Sequence, residues 1–261
     1  MRKAFVLLSG GVDSTTCLAI AMNEAESVEA ISVDYGQRHK KEMEYAAATC
    51  KKYNIPHKVL NIQGILSGKG VMLADADVAI PSISYDQIKG VSPTYVPFRN
   101  GTLLSLITAH AQKWVNQEVQ ILADFYQRGG NLAEFDAQDA KERATFDMRD
   151  SVGIYFGAHA DDAANNAYPD CQFSFTGAMA NAINVGTYGA INLIVPLQWM
   201  KKDEIVRKGE SLGVDWTKTW SCYAGGHEHC GVCPTCRARR EAFSKAGVVD
   251  PTIYAATPKA A

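Results

Sequence analysis

The stretch that decides the fold is AFVLLSGGVDSTTCLAIA, residues 4–21, close to the start of the chain. Its apolar run predicts a strand over Ala4–Leu8, and the helical spacing behind the glycine pair predicts a helix over Ser14–Glu26. Either Ser14 or Asp13 is well placed to cap that helix. A glycine turn that opens a helix attracts anions, because backbone N–H groups point outward there. Since the Lys-Ser/Thr ending of a Walker A loop is missing, the stretch predicts a phosphate-binding turn of another kind.

The composition excludes several classes of protein. Of the 261 residues, 47% are hydrophobic and 21% are charged, which is typical of a soluble globular chain. A net charge of −2 gives no basic field that would recruit nucleic acid. No stretch reaches the roughly 18 apolar residues that span a bilayer, and the N-terminal apolar run is too short for a signal peptide. We therefore expect neither a membrane nor a nucleic acid as partner.

Strands and helices alternate along the sequence. This alternation predicts an α/β fold, a mostly parallel, Rossmann-like sheet with helices on both faces. Ligands in such sheets bind beyond the carboxyl ends of the strands. Besides the first pair, we predict strands at Val28–Val33, His57–Ile62, Val152–Gly157 and Asn192–Val195, and helices at Lys40–Tyr53, Gly101–Trp114 and Lys201–Leu212.

Two parts are predicted, a sheet domain over residues 1–215 and a C-terminal metal-binding segment over residues 216–261. Within the first, Asn116–Asp150 is charged and weakly amphipathic, with Gly129-Gly130 between two helical halves. This composition favours an inserted, solvated helical hairpin on the surface. A contact between subunits or a flap over the site is the alternative.

The loop after the first strand is rich in groups that bind phosphate. Adjacent glycines let the backbone approach an anion with no Cβ in the way, and two serines add hydroxyl groups. Asp13 offers a carboxylate, which suits Mg²⁺. A tight glycine turn without any ligand is the alternative interpretation. The candidate nucleotide-binding residues of this loop are Ser9, Gly10, Gly11, Val12, Asp13 and Ser14.

The loop resembles that of the PP-loop ATP pyrophosphatase superfamily. The resemblance implies that it grips the β- and γ-phosphates of ATP and that the bond between the α- and β-phosphates is broken. A substrate oxygen is then adenylated and pyrophosphate leaves. This would explain the missing Walker lysine, because the γ-phosphoryl group is not the one transferred.

Four cysteines form a cluster in the C-terminal segment. Cys222, Cys230, Cys233 and Cys236 follow the spacing C-x7-C-x2-C-x2-C. Four thiolates complete a tetrahedral zinc shell and leave no open position, so the spacing predicts structural Zn²⁺. The cluster also suits a reducing, cytoplasmic location better than disulfides do. The basic string that follows, Arg237–Arg240, is interpreted as a solvated helix face.

Further strings occur in one order along the chain and narrow the resemblance. They are DYGQRH (34–39), VPFRN (96–100), YPDC (168–171), KKDEI (201–205) and TWSCY with three more cysteines. Together with the loop, they resemble the 7-cyano-7-deazaguanine synthase family of queuosine biosynthesis. The resemblance implies a ligase that converts 7-carboxy-7-deazaguanine and ammonia, through an adenylated acid and an adenylated amide, to 7-cyano-7-deazaguanine, with release of AMP and diphosphate. It also implies a homodimer.

The resemblance assigns candidate roles to further residues. Asp34 and Tyr35 would lie along the adenosine half of ATP, and Asp170 would read the guanine-like edge, since a carboxylate accepts two hydrogen bonds. Tyr168 or Trp220 would stack on the deazapurine. Asp13, Arg38, His39, Arg99 and Lys202 are the candidate catalytic residues, with Arg99 and Asn100 also orienting the acyl-adenylate.

Four departures from the family pattern stand out. Phe98 replaces the usual glycine, and His159 replaces a common asparagine. The stretch before Tyr168 is slightly longer than usual, and the insertion Asn116–Asp150 is the largest departure. Two alternatives remain open. A related PP-loop enzyme could use another amine or thiolate tRNA, and a non-enzymatic zinc-ribbon adaptor could bind nucleic acid or protein.

Overall fold

The structure is a computed structural model that describes residues 1–37, 40–66, 90–128, 137–164 and 167–255. Its centre is a five-stranded sheet in which every neighbouring pair of strands is parallel. The strands are β1 (Lys3–Leu7), β2 (Ser27–Asp34), β3 (His57–Asn61), β4 (Val152–Tyr155) and β5 (Ile191–Ile194), in the spatial order β3-β2-β1-β4-β5. The predicted α/β class is confirmed.

Helices cover both faces of the sheet. They are α1 (Val12–Glu24), α2 (Lys41–Tyr53), α3 (Arg99–Arg128), α4 (Ala137–Asp147), the short α5 (Ala160–Ala163), α6 (Phe173–Gly186), α7 (Lys202–Ser211) and α8 (Pro234–Ala246). Successive residues of a strand point to opposite faces. In β1, Phe5 therefore joins one core cluster with α3, α4 and α6, and Ala4 and Val6 join the other with α1, α2, α7 and α8.

The strand order fixes where a ligand can bind. The chain leaves β1 toward β2 on one side and later returns to pair β4 on the other side of β1. A crevice opens beyond the carboxyl ends of the strands at such a switch point. The quoted loop after β1 and the residues after β4 both lie at this crevice.

The third helix is longer than predicted, and in the described part of Asn116–Asp150 it packs with one face against α4 while most of its other side chains are exposed or half-exposed. Helix α3 continues to Arg128 and buries Val119 and Ala123 in the same cluster as Ala140 and Ala144 of α4. Alanines one turn apart let two helices approach closely, so a face of low hydrophobicity is still buried. Residues 129–136, which include the glycine pair, lie outside the described residues.

The C-terminal segment shares the core of the sheet. Ala242 and Phe243 of α8 pack in the cluster that holds β1 and α1, and Trp216 packs edge-on against Phe243 with ring centroids 5.3 Å apart. The division at residue 215 stays a prediction. Within the described ranges, no helix is both long enough and apolar enough to cross a membrane.

Candidate active site and metal centre

A cavity of about 240 Å³ opens at the switch point. The loop after β1, the ends of β2 and β4, and the starts of α2, α3 and α7 form its walls. Of the predicted nucleotide-binding and catalytic residues, Ser9, Gly11, Val12, Asp13, Ser14, Tyr35, Arg99 and Lys202 line it. The structure thus brings together residues that are far apart in the sequence.

The loop after β1 leaves helix N–H groups available. Helix α1 begins at Val12, two residues earlier than predicted, with Gly11 as its N-cap and no side chain accepting a hydrogen bond there. The predicted capping by Ser14 or Asp13 is therefore wrong. Instead, the Ser14 hydroxyl accepts from the Ser9 N–H and lies 3.0 Å from the Ser9 hydroxyl. An uncapped N-terminus that faces a cavity suits an anion.

The two glycines of the loop serve different purposes. Gly10 has a φ of +87°, and a Cβ there would lie 2.2 Å from the carbonyl oxygen of Glu42 in α2. Gly11 has a φ of −80°, and the nearest atom to its added Cβ would be the Ser9 Oγ at 3.4 Å. Gly10 is thus required by the fold, and Gly11 keeps the cavity side of the loop open.

This difference yields a matched pair of variants. We expect Gly10→Ala to destabilise the protein by at least about 2 kcal/mol, because strained backbone and overpacking add. We expect Gly11→Ala to change the free energy of unfolding by less than about 1 kcal/mol but to weaken ATP binding about tenfold. Denaturant unfolding and titration calorimetry measure the two effects. Equal destabilisation by both variants would contradict the distinction.

A charged cluster lies beside the loop. Lys202 Nζ donates to Asp13 Oδ2 at 2.7 Å, and the buried ring of His159, 1% exposed, has its Nε2 3.7 Å from the same oxygen and 3.2 Å from Asp162 Oδ2. Burial would raise the pKa of Asp13, but the neighbouring positive charges outweigh it and the pKa lies below its usual value. Asp13 therefore stays ionised. Desolvation would lower the pKa of the half-buried Lys202, but the Asp13 charge raises it above its usual value.

The second carboxylate oxygen of Asp13, Oδ1, is a candidate metal ligand. This oxygen is buried and has no hydrogen-bond partner within the described ranges. An orphaned carboxylate oxygen beside a phosphate-binding loop fits a hard divalent cation such as Mg²⁺.

The end of β2 and the start of α3 form the opposite wall. Arg99 Nη1 donates to the Tyr35 hydroxyl at 3.4 Å, and nearby carboxylates and tyrosines hold the pKa of Arg99 above its usual value despite burial. The Asp34 carboxylate is turned away from this pair. It accepts from Gln63 Nε2 at 2.8 Å and from the Gly36 N–H at 3.1 Å, and so shapes the turn after β2.

Asp170 is hydrogen-bonded to the first turn of α3, which forms one wall of the cavity. It is 4% exposed, and its Oδ2 accepts a hydrogen bond from the backbone N–H of Asn100 at 3.0 Å, in the first turn of α3. The Asn100 side chain in turn donates to the carbonyl oxygen of Asp170. This pairing gives Asp170 a structural use, and its reading of a guanine-like edge stays a prediction.

Tyr168 and Trp220, the two aromatic residues predicted to stack on the deazapurine, differ in the groups that surround them. Tyr168 lines the cavity, with its hydroxyl bonded to Ser92 and Thr94. Trp220 is 1% exposed: the His229 ring lies 4.0 Å and Lys41 Nζ 4.5 Å from its ring centroid. Trp220 also lines the cavity, and its stacking on a substrate stays a prediction.

The remaining residues singled out in the sequence are Arg38, His39 and Phe98. Arg38 and His39 lie outside the described residues. Phe98 has a φ of +53°, the left-handed region that glycine adopts without strain, which accounts for the usual glycine there. Its ring, 57% exposed, packs edge-on against Phe175.

The cavity residues that sequence analysis did not single out include Glu42, Asp162 and Tyr223. Glu42 looked like an ordinary acidic residue in the first turn of a helix. Asp162 lies in the longer stretch before Tyr168, and Tyr223 adjoins a metal-ligand candidate. The tertiary structure places these three residues around the same cavity.

The four predicted metal ligands converge. The sulfur atoms of Cys222, Cys230, Cys233 and Cys236 all lie within 4.8 Å of one another, and the Cys230 N–H donates to the Cys222 sulfur at 3.3 Å. Such distances and N–H···S bonds suit four thiolates around one ion. The cluster is therefore compatible with a structural metal.

A buried arginine ties this centre to the rest of the fold. Arg239, 0% exposed, donates to Asp250, to the Thr219 hydroxyl at 2.8 Å and to the Trp216 carbonyl. The interpretation of residues 237–240 as a solvated face is wrong for Arg239. Its buried charge persists because Asp250 and several oxygens satisfy the guanidinium.

Comparison with known proteins agrees with this geometry. A doubly wound parallel sheet with SGGVDS at its switch point defines the class of PP-loop proteins. The family described as "Queuosine biosynthesis protein QueC" matches residues 3–125 and 144–247, and this chain belongs to that family. The match reaches into both ends of Asn116–Asp150, so the segment outside it is residues 126–143.

Curated relatives carry one name, 7-cyano-7-deazaguanine synthase. The relative from Thermoplasma volcanium is 36% identical and covers 99% of this chain and 93% of its own. That from Caldicellulosiruptor bescii is 37% identical and covers 97% of each chain. That from Alteromonas mediterranea is 34% identical and covers 97% of this chain and 99% of its own. Among solved structures, the U34-tRNA thiolase NcsA from Methanococcus maripaludis, with its [4Fe-4S] cluster, is 17% identical with a TM-score of 0.40, covering 82% of this chain and 58% of its own.

Proposed function

We propose that this protein is an ATP-dependent carbon–nitrogen ligase that converts 7-carboxy-7-deazaguanine and ammonia to 7-cyano-7-deazaguanine. The observation that carries the proposal is the cavity at the switch point, where the loop Ser9–Ser14 and the Lys202–Asp13 pair face Arg99 in a chain of the QueC family. A zinc-ribbon adaptor would have no use for such a cavity.

The chemistry proceeds in two activations. The carboxylate oxygen attacks the α-phosphorus of ATP, pyrophosphate leaves, and ammonia then displaces AMP to give the amide. The amide oxygen attacks a second ATP, pyrophosphate leaves again, and loss of AMP and the last amide protons gives the nitrile. Each oxygen of the acid thus departs in AMP, and two ATP molecules are used for each nitrile.

The chain contributes positioning and charge. The free N–H groups at the start of α1 and the hydroxyls of Ser9 and Ser14 would hold the pyrophosphate that leaves. Lys202 and Arg99 would neutralise charge on the phosphates and the acyl-adenylate. Asp13, through its unpartnered Oδ1, would hold Mg²⁺, which supplies charge neutralisation to the triphosphate when bound.

The roles of the outer residues follow from their places. Tyr35 would lie along the adenosine, with Asp34 shaping its turn, and Tyr168 and Asn100 would border the deazapurine. Arg38 and His39 remain candidates for the reacting carboxylate. The cysteine cluster would bind Zn²⁺ as a closed, structural site, and its four thiols favour a reducing, cytoplasmic location.

A product assay tests the function. Purified protein is incubated with ATP, Mg²⁺, ammonium and 7-carboxy-7-deazaguanine labelled with ¹⁸O in its carboxylate. We expect two AMP molecules, both carrying label, for each nitrile detected by mass spectrometry. Formation of ADP without AMP, or a product that contains another amine, would refute the proposal.

We also propose that two copies associate through α6. Of its fourteen residues, only Thr176 and Ile183 are buried, whereas Phe173 and Val185 are exposed, and Trp199 lies 5.2 Å from the Phe173 ring. Exposed apolar patches of this kind mark interaction surfaces. Light scattering should give twice the chain mass of 28.4 kDa, and Phe173→Glu should reduce it to that of one chain. A monomeric parent protein would refute this association.

A further inference from the structure

The cavity contains an acid that the chemistry above leaves unused. Glu42 lies in the first turn of α2 and is one of the residues that line the cavity. No hydrogen bond or ion pair from residues in the described ranges reaches its carboxylate. Glu42 is therefore free to meet a ligand.

The place of Glu42 is fixed by the phosphate loop. Its carbonyl oxygen would lie 2.2 Å from a Cβ on Gly10, so the first turn of α2 packs directly on the loop. The same cavity is lined by Arg99 on the opposite wall and by Lys202 beside Asp13. Glu42 therefore lies beside the phosphate loop, in the same cavity as Arg99 and Lys202.

The charge of Glu42 does not fit the anionic reactants. Both the triphosphate and the acid carry negative charge, and a carboxylate near either is repulsive. Mg²⁺ would be held by Asp13, which leaves ammonium as the other cation of the proposed reaction. A free carboxylate in a cavity for anions is explained if it receives that cation.

We propose that Glu42 binds ammonium and removes a proton from it, so that ammonia attacks the adenylated acid. This inference rests on the proposed function. In the step, Glu42 takes one proton from ammonium, the nitrogen lone pair forms the C–N bond, and the C–O bond to AMP breaks. The nitrogen loses a second proton to water, and Glu42 returns its own proton to solvent.

The surroundings of Glu42 suit proton transfer. Burial raises the pKa of Glu42 to about 7, against the opposing charge of Arg99 from α3. Tyr35 after β2 and Tyr223 after Cys222 are the other titratable groups that interact with it. A base whose pKa lies near neutral pH both accepts and releases protons readily. A carboxylate that only read the N–H edge of a deazapurine would work best fully ionised.

The test separates the two halves of the reaction in the Glu42→Gln variant. Exchange of labelled pyrophosphate into ATP, driven by 7-carboxy-7-deazaguanine without ammonium, reports acid adenylation. Amide formation with ammonium chloride reports the step assigned to Glu42. We expect exchange within about threefold of the parent and amide formation slower by about 100-fold at neutral pH. Raising the pH, which supplies free ammonia, should restore most of the lost rate.

The control is Glu44→Gln, an exposed residue of the same helix, which should leave both steps unchanged. The inference is overturned if Glu42→Gln lowers exchange as much as amide formation, or if alkaline pH does not rescue it. It is also overturned if the variant only raises the KM for the deazapurine, which would indicate edge reading. Failure of the proposed function is distinguishable, because the parent protein itself would then show neither exchange nor amide formation.

Discussion

Replacing Lys202 by methionine is expected to slow AMP formation by about 10²–10³-fold while the protein stays folded. The Lys202 ammonium lies beside the loop after β1, with Nζ 2.7 Å from Asp13 Oδ2. Without it, the Asp13 carboxylate would face the triphosphate uncompensated, and the leaving pyrophosphate would lose a counter-charge. Release of AMP and pyrophosphate under saturating ATP measures the effect.

The control for this prediction is Lys208→Met, because Lys208 is an exposed lysine of the same helix. It should retain the parent rate. Lys202→Arg keeps the charge but not the compact ammonium, and should fall between the two. A Lys202→Met variant that retains more than about a third of the parent kcat would show that the lysine acts only as a structural partner of Asp13.

The features that sequence reasoning predicted correctly are local ones. The strand–turn–helix of residues 4–21 and the cysteine spacing each lie within a short stretch, so that a few neighbouring residues determine them. The sheet followed from alternating strands and helices, since parallel neighbours need crossover connections. Lys202 was predicted as a site residue because the string KKDEI (201–205) also occurs in the family that the sequence resembles.

The features that sequence reasoning missed depend on long-range packing. Helix α3 continues through a charged stretch because alanines of α4 meet it, and the sequence does not show which helices meet. The sequence also does not show that His229 and Lys41 pack against the Trp220 ring. In the sequence, Glu42 resembles any acidic residue in the first turn of a helix. Its place in the cavity is seen only in the tertiary structure, where residues after the carboxyl ends of several strands line the same cavity.

Trp220 is one of the links between the metal centre and the active site. The Trp220 N–H donates to the Gly10 carbonyl at 2.8 Å, and the Trp220 indole N–H donates to the Cys222 carbonyl at 2.8 Å. The phosphate loop is therefore held on one side by the segment that carries the cysteines. Loss of the metal should disturb catalysis as well as stability.

Replacing Cys233 by alanine is accordingly expected to remove both the metal and much of the stability. Three remaining thiolates bind zinc far more weakly than four, and metal binding contributes directly to folding in such sites. We expect bound zinc to fall from about one per chain to less than about 0.2, and the thermal midpoint to fall by about 10 °C or more. Elemental analysis and calorimetry measure the two quantities.

The matched control for this prediction is Cys50→Ala, on the buried face of α2. Burial raises the pKa of the Cys50 thiol to about 11, so it stays protonated and binds no metal. This variant should keep its zinc and its ATP-dependent activity, although a small loss of packing lowers its stability by about 1 kcal/mol. A Cys233→Ala protein that loses zinc yet melts with the parent would mean that the metal does not hold the fold. Should it keep both the parent midpoint and the parent rate of AMP formation, the link through Trp220 to the phosphate loop would also be refuted.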